Sequence, residues 1–167
     1  MSFNKEIERK WLIDKEKIPY DLKNYKPLKM KQSYISFSPT IRLRNTNDES
    51  YVLCVKTRAE KGSLGRDEFE MQISKEEYEN LLLKTEGNIV EKTRYCVPNE
   101  NGLTMEFDIF EGSLSGLAYM EIEFDSEESA ESYHTPHWAI ADVSFDHRFK
   151  NTALAKYGIP ETEKTHF

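Results

Sequence analysis

Polar and apolar positions alternate with period two along most of the chain, the pattern of strands that hide one face and show the other. The first such run covers residues 4–13, with Glu6, Glu8 and Lys10 on one face and Ile7, Arg9 and Trp11 on the other. Residues 14–25 break the alternation as a helical turn and loop, interrupted by Pro19 and closed off by Pro27. Alternation returns at 30–37, 40–44, 51–57, 66–73, 89–97, 103–110 and 117–124. Turn chemistry separates these runs: Ser38-Pro39, the polar stretch from Asn45 to Ser50, a glycine-containing loop at 59–65, Pro98 before Asn-Glu-Asn-Gly102, and Gly112 with Gly116. After residue 73 the period becomes helical. Ser74 and Glu77 have capping-box spacing, Tyr78, Leu81 and Leu82 follow at i, i+3 and i+4, and Gly87 is expected to end the helix. Shorter helices are predicted at 126–133 and near 151–156, the latter after a turn at 142–148. Eight strands, mostly in hairpin order, predict an α+β fold. The expected form is a closed eight-stranded antiparallel β-barrel with peripheral helices, one domain over residues 1–167.

The polar faces carry like-signed pairs: Glu6-x-Glu8-x-Lys10, Arg42-x-Arg44, Lys56-x-Arg58, Glu68-x-Glu70, Lys92-x-Arg94, Glu106-x-Asp108 and Glu121-x-Glu123. Any one of them reads most simply as the wet face of a half-buried sheet. Together they do not, because like charges repel across strands and a solvated face mixes its signs. Turned inward, they give a tunnel with acidic and basic walls, and the apolar residues of opposite parity pack outward beneath the helices. An empty lumen of this kind is costly, since each desolvated, unpaired ion costs several kcal/mol. A divalent cation among the carboxylates and an anion among the guanidinium groups offset that cost.

Composition narrows the setting. With 167 residues, 32% charged and 38% hydrophobic, nine Tyr, nine Phe and two Trp, the chain is globular rather than disordered. A net charge of −7 argues against general nucleic-acid binding, so any anion site is a local concentration of Arg and Lys. Cys54 and Cys96 lie in separate predicted strands and form neither a disulfide framework nor a zinc pair, which suits reduced thiols in the cytoplasm. No segment has signal-peptide or transmembrane-helix character. An outer-membrane barrel also has a polar interior, but short strands, interrupting helices and the lack of an export signal argue against it.

The ordered set Glu6-x-Glu8-x-Lys10, Arg42-x-Arg44, Lys56, Arg66-x-Glu68-x-Glu70, Lys92-x-Arg94, Asp108 and Glu121-x-Glu123 resembles the CYTH, or triphosphate tunnel metalloenzyme, family over nearly the whole chain. The tail Asp142-Val-Ser-Phe-Asp-His-Arg-Phe-Lys-Asn-Thr-Ala-Leu-Ala is similar to that of small bacterial members. The resemblance implies an eight-stranded tunnel that hydrolyses a triphosphate with Mg²⁺ or Mn²⁺. Arg58 and Glu106 are not firm parts of that pattern.

Hard divalent cations take oxygen ligands, which makes Glu6, Glu8, Asp108, Glu121 and Glu123 the metal-site candidates. Glu68 and Glu70 are secondary lumen carboxylates that either join them or hold the lumen arginines in place. Arg42, Arg44, Lys56, Lys92 and Arg94 are expected to grip phosphates, with Lys10 and Arg66 in the same task; the plain alternative is structural ion pairing. Glu6, Glu8 and Lys10 are the catalytic candidates. No residue looks like a covalent nucleophile, so a metal-activated water is expected to attack the terminal phosphorus. His134, His137, His147 and His166 read as surface residues, and Lys150 as a solvent-facing lysine. The expected activity is hydrolysis of inorganic tripolyphosphate to pyrophosphate and phosphate. Alternatives are a class IV-type adenylyl cyclase, a thiamine triphosphatase, or a non-catalytic module that binds polyphosphate or a nucleotide. A small-molecule triphosphate is thus the expected partner, without nucleic acid or membrane, and monomer and homodimer both remain open.

Overall fold

A computed structural model describes residues 3–57 and 65–161, and the side chains of residues 6–57 and 67–161. Each alternating run is a strand: β1 Phe3–Ile13, β2 Leu28–Phe37, β3 Thr40–Thr46, β4 Ser50–Lys56, β5 Gly65–Ile73, β6 Glu86–Pro98, β7 Thr104–Phe110 and β8 Ala118–Glu123. The helices are α1 Lys75–Leu82, α2 Glu127–Ser132 and α3 Asn151–Tyr157. At α1 the capping box is complete: the Ser74 hydroxyl accepts from the Glu77 N–H, and the Glu77 carboxylate accepts from the Ser74 N–H. Between β3 and β4, Asn47 and Asp48 take φ of 57° and 55°, the left-handed pair that a tight hairpin turn demands. Arg58, the loop up to Gly65, the Arg66 side chain and His166 lie outside the described residues.

The sheet order is β5-β4-β3-β2-β6-β7-β8-β1-β9, every neighbour antiparallel, where β9 is Ala139–Asp142. The expected closed eight-stranded barrel is corrected in two ways. Among the described residues there are nine strands. The sheet curls so that β1 also meets β5, but along only five residue pairs, from Phe3↔Phe69 to Ile7↔Gly65. Further along β1, Trp11, Leu12 and Ile13 pair with β9. Four residues are too short a run for alternation to announce, and tertiary contacts hold β9 in place. The Arg9 guanidinium on the outer face of β1 donates to the Ala130 and Tyr133 carbonyls and to Asp142, tying the end of α2 to the ninth strand.

Gly87 is the second departure. It belongs to β6 rather than to the end of α1, whose cap is Leu83. At φ +76°, a Cβ there would stand 2.9 Å from the Phe37 ring and 3.2 Å from the Ala155 carbonyl oxygen. Close approach of β2 and α3 is what requires the glycine.

Two apolar cores lie on opposite sides of the wall. Ile7, Trp11, Ile13, Val97, Met105, Phe107, Met120 and Ile122 face outward beneath α2 and the 14–25 segment, as the parity predicts. The other core was not anticipated. Leu12, Tyr34, Val90, Phe110 and Tyr119 share the parity of the charged residues, and they pack with Val143, Phe149, Leu154 and Ala155 of the tail. The tail thereby plugs one end of the tunnel with apolar side chains. Among the described residues, no helix is long and apolar enough to cross a membrane.

Candidate active site

Above that plug lies a cavity of about 400 Å³. Strand parity brings its lining together: Glu6 and Glu8 from β1, Leu28, Met30 and Gln32 from β2, Arg42 and Arg44 from β3, Lys56 from β4, Glu68 and Glu70 from β5, Arg94 and Cys96 from β6, Glu106 from β7, Glu121 and Glu123 from β8, and Asn151 from α3. The register sets like charges face to face. Glu8 opposes Glu123, and Glu106 opposes Glu121.

Beneath the cavity floor runs an ionic network. Asp108, fully buried, accepts from the Lys92 ammonium at 2.6 Å and from Arg94 Nε and Nη2 at 2.7 and 2.9 Å. Arg94 continues to Glu106 at 2.8 Å and to Glu121 at 3.6 Å. Lys10 Nζ stands 3.4 Å from Glu121, donates to the Phe149 carbonyl at 3.2 Å, and lies over the Tyr119 ring. Nearer the cavity, Lys56 pairs with Glu6 at 2.7 Å and Arg44 with Glu70 at 3.5 Å. Arg42 donates to Gln32 at 3.3 Å, and its buried Nε has no hydrogen-bond partner among the described residues.

The electrostatics follow from this packing. Burial alone would raise the Asp108 carboxyl, but Arg94 and Lys92 hold it well below the usual carboxylate range. Burial pulls the Lys92 ammonium down, with Arg94 adding to that and Asp108 opposing it. At Lys10 burial also opposes the charge, but Glu121, Glu8 and Asp108 outweigh it and raise the pKa. Desolvation raises Glu123, and repulsion from Glu6, Glu8 and Glu68 pushes it further. Burial drives Glu106 up to about 7, against Arg94 and with help from Glu121, Asp108 and Glu8. The Cys54 thiol is pushed up to about 11 by burial and donates to Glu68 at 3.3 Å; Cys96 is raised by burial as well. Both are neutral thiols and poor nucleophiles.

The Glu106 shift has a measurable sign. The folded protein binds a proton there more tightly than the unfolded chain, so stability falls as pH rises from 4.5 to about 7. A shift of that size corresponds to roughly 3 kcal/mol. In chelator, the urea midpoint of the wild type relative to Glu106→Gln is expected to decline from pH 5 to pH 7 and then level off; parallel profiles would contradict the shift.

The structure therefore sorts the predicted residues. Glu6, Glu8, Glu121, Glu123, Glu68, Glu70, Arg42, Arg44, Lys56 and Arg94 line one cavity. Lys10, Lys92 and Asp108 lie below it, engaged with one another's neighbours and with the tail. Glu106, Gln32 and Asn151 line it too. Glu106 was visible as half of an acidic pair, whereas nothing in the local pattern marks Gln32 or Asn151. The three-residue turn His147–Phe149 that precedes Asn151 is capped by Asp146, whose side chain accepts from the Arg148 N–H.

A family model, the CYTH domain, matches residues 4–149. The chain belongs to the CYTH family. It is 40% identical over 154 residues to an inorganic triphosphatase of Nitrosomonas europaea, covering 90% of this chain and 96% of that protein. An inorganic triphosphatase of Acetivibrio thermocellus is 31% identical over 159 residues, with 91% and 94% covered. The crystal structure of an inorganic triphosphatase superposes with a TM-score of 0.64 at 35% identity, covering 90% of this chain and 93% of the other. Triphosphatases of the CYTH family generally depend on a divalent metal. The residues here fit one. Glu8 and Glu123 face each other across a strand pair, and Glu123 is destabilised as an anion by its carboxylate neighbours, a charge excess that a hard cation relieves. Cys54, Glu68 and Glu70 also place donor atoms within 4.8 Å of one another, but a thiol held protonated is a poor partner for a hard ion.

Proposed function

We propose that this CYTH protein is a triphosphatase that cleaves inorganic tripolyphosphate to pyrophosphate and phosphate with Mg²⁺ or Mn²⁺. The observation that carries the reading is the segregation of charge inside one small cavity. Carboxylates on β1 and β8 and cationic groups on β3 and β4 line the same cavity; Lys56 pairs with Glu6 between them, while Glu8 opposes Glu123 and Arg42 Nε has no hydrogen-bond partner among the described residues.

Glu6, Glu8, Glu121 and Glu123 are the side chains that would hold the cation. Bound there, a divalent ion supplies Lewis-acid neutralisation of phosphate oxygens and lowers the pKa of a water. Arg42 and Arg44 present guanidinium forks to phosphate oxygens, and Lys56 adds a point charge. Asp108 acts from below: itself held by Lys92, it fixes the Arg94 guanidinium by a bidentate contact, so the guanidinium needs little reorganisation when charge develops. Asp108 is in this reading a positioning carboxylate rather than a metal ligand, and Lys10 holds the tail as well as Glu121. Glu106, which lines the cavity and pairs across β7 and β8 with Glu121, is in this reading the carboxylate that takes up the proton an attacking water releases. The apolar plug of Tyr34, Phe110, Tyr119 and Phe149 leaves the opposite end for substrate entry. Free thiols at Cys54 and Cys96 suit a reducing compartment, and we place the protein in the cytoplasm.

The test is product analysis over tripolyphosphate, ATP, thiamine triphosphate and pyrophosphate, with Mg²⁺, Mn²⁺ or chelator. Metal-dependent orthophosphate release, fastest from tripolyphosphate, is expected. Cyclic AMP with pyrophosphate from ATP would instead mean a cyclase, and binding without any turnover a sequestering module.

A further inference from the structure

The tail reaches the polar interior at two points. Phe149, packed edge-on against Tyr119, offers its carbonyl to Lys10, and two residues later Asn151 enters the cavity wall from the first turn of α3. Asn151 Nδ2 lies 3.4 Å from Gln32 Oε1, the same oxygen that accepts from Arg42 Nη1 at 3.3 Å.

The direction of this relay is fixed by chemistry. A guanidinium only donates, so the Gln32 atom facing Arg42 must be its carbonyl oxygen. The Asn151 atom facing that oxygen must then be its amide nitrogen. This leaves Asn151 Oδ1 buried in the wall, and it has no hydrogen-bond partner among the described residues; nor does Arg42 Nε at the other end of the relay. Gln32 is 2% exposed, so water cannot easily replace either neighbour. Unmet donors and acceptors in a buried wall are costly, and a hydrated phosphate can satisfy both ends at once.

We propose that Asn151 is a positioning residue of the triphosphate site, acting through Gln32 to hold the Arg42 guanidinium toward phosphate, so that the anion site is complete only with the tail docked. This rests on the reading of the cavity given above. Arg42 lies on β3 and Asn151 on α3, far apart in sequence, and Gln32 is the side chain that joins them. A tail that merely filled space would need no amide here.

The relay is tested by a double-mutant cycle on tripolyphosphate affinity, measured by calorimetry in chelator so that no turnover occurs, with kcat and KM measured separately in Mg²⁺. Asn151→Ala and Gln32→Met are each expected to weaken binding by about fivefold to tenfold. KM should rise by a similar factor and kcat should change less. Because both act through one chain, the double variant is expected to bind no worse than Gln32→Met alone. Asn151→Ser, which keeps a donor, is expected to fall between Asn151→Ala and the wild type, and it stands in should the alanine variant fail to melt cooperatively. Additive losses, or unchanged affinity in the Asn151 variants, would overturn the proposal. Failure of the wild type to bind tripolyphosphate at all would overturn the site reading instead.

Discussion

Glu8→Gln is expected to remove nearly all metal-dependent phosphate release while making the metal-free protein slightly more stable. The two effects share one cause. Glu8 stands directly opposite Glu123, and the carboxylates of Glu6, Glu8 and Glu68 raise the Glu123 pKa beyond what desolvation alone does. In the absence of a cation this is cross-strand repulsion, and neutralising one partner relieves about 0.5–1 kcal/mol. In a protein of this size that raises the melting temperature by about 1–3 °C. In the proposed metal site the same oxygen would be a ligand to the cation. Its loss removes charge stabilisation from the transition state and is expected to lower kcat/KM by on the order of 10²–10³. Thermal melts in chelator and phosphate-release kinetics in Mg²⁺ check the two halves separately. A folded Glu8→Gln protein with undiminished turnover would refute the metal-ligand role; a lower melting point in chelator would mean that Glu8 is paired in a way the register does not suggest.

Asp108→Asn is expected to produce the largest loss of stability of any isosteric substitution in the tunnel. Its carboxylate is fully buried and is held by Lys92, itself fully buried, and by two nitrogens of Arg94. Such a pair adds little net stability against an apolar replacement, because desolvation offsets the attraction. Removing one partner is different, since it leaves buried cations uncompensated at a cost of about 3–5 kcal/mol. The expected consequence is a melting temperature lower by roughly 10 °C or more. The decisive comparison is made in chelator. A positioning carboxylate destabilises the metal-free protein when lost, whereas a metal ligand leaves it unchanged or better off, as at Glu8. The substitution is also expected to loosen Arg94, so surviving activity at low temperature should show a raised KM for the triphosphate.

How much could be read before the fold was known depended on how local each signal is. Alternation placed all eight long strands, and the Ser74–Glu77 spacing placed α1, because side-chain direction in a strand and capping in a helix are set within a few residues. The four-residue β9 carries too little pattern to be seen, and its place is decided by Arg9 and by pairing with β1. Gly87 looked like a helix end because glycine usually ends helices; what holds it in β6 is the approach of Phe37 and Ala155, from elements distant in the chain. Asn151 lies within the tail that resembles other family members and Gln32 has lumen parity, but neither stood out, since an amide is ordinary on any surface.

The sequence by itself determined which charges share a face, since strand parity admits only one answer once the runs are recognised. It could not tell which charges on that face reach the cavity and which are consumed beneath it. Asp108 and Glu106 have the same parity and nearly the same neighbours in the chain, yet one is locked between Lys92 and Arg94 while the other opens on the cavity with a pKa near neutrality. That division is made by depth along the tunnel, through the stagger of β6 against β7 and the apolar plug that the tail drives into one end. Depth sets how many cations close around a carboxylate, and those contacts decide whether it becomes a buried counter-ion or stays open to the cavity.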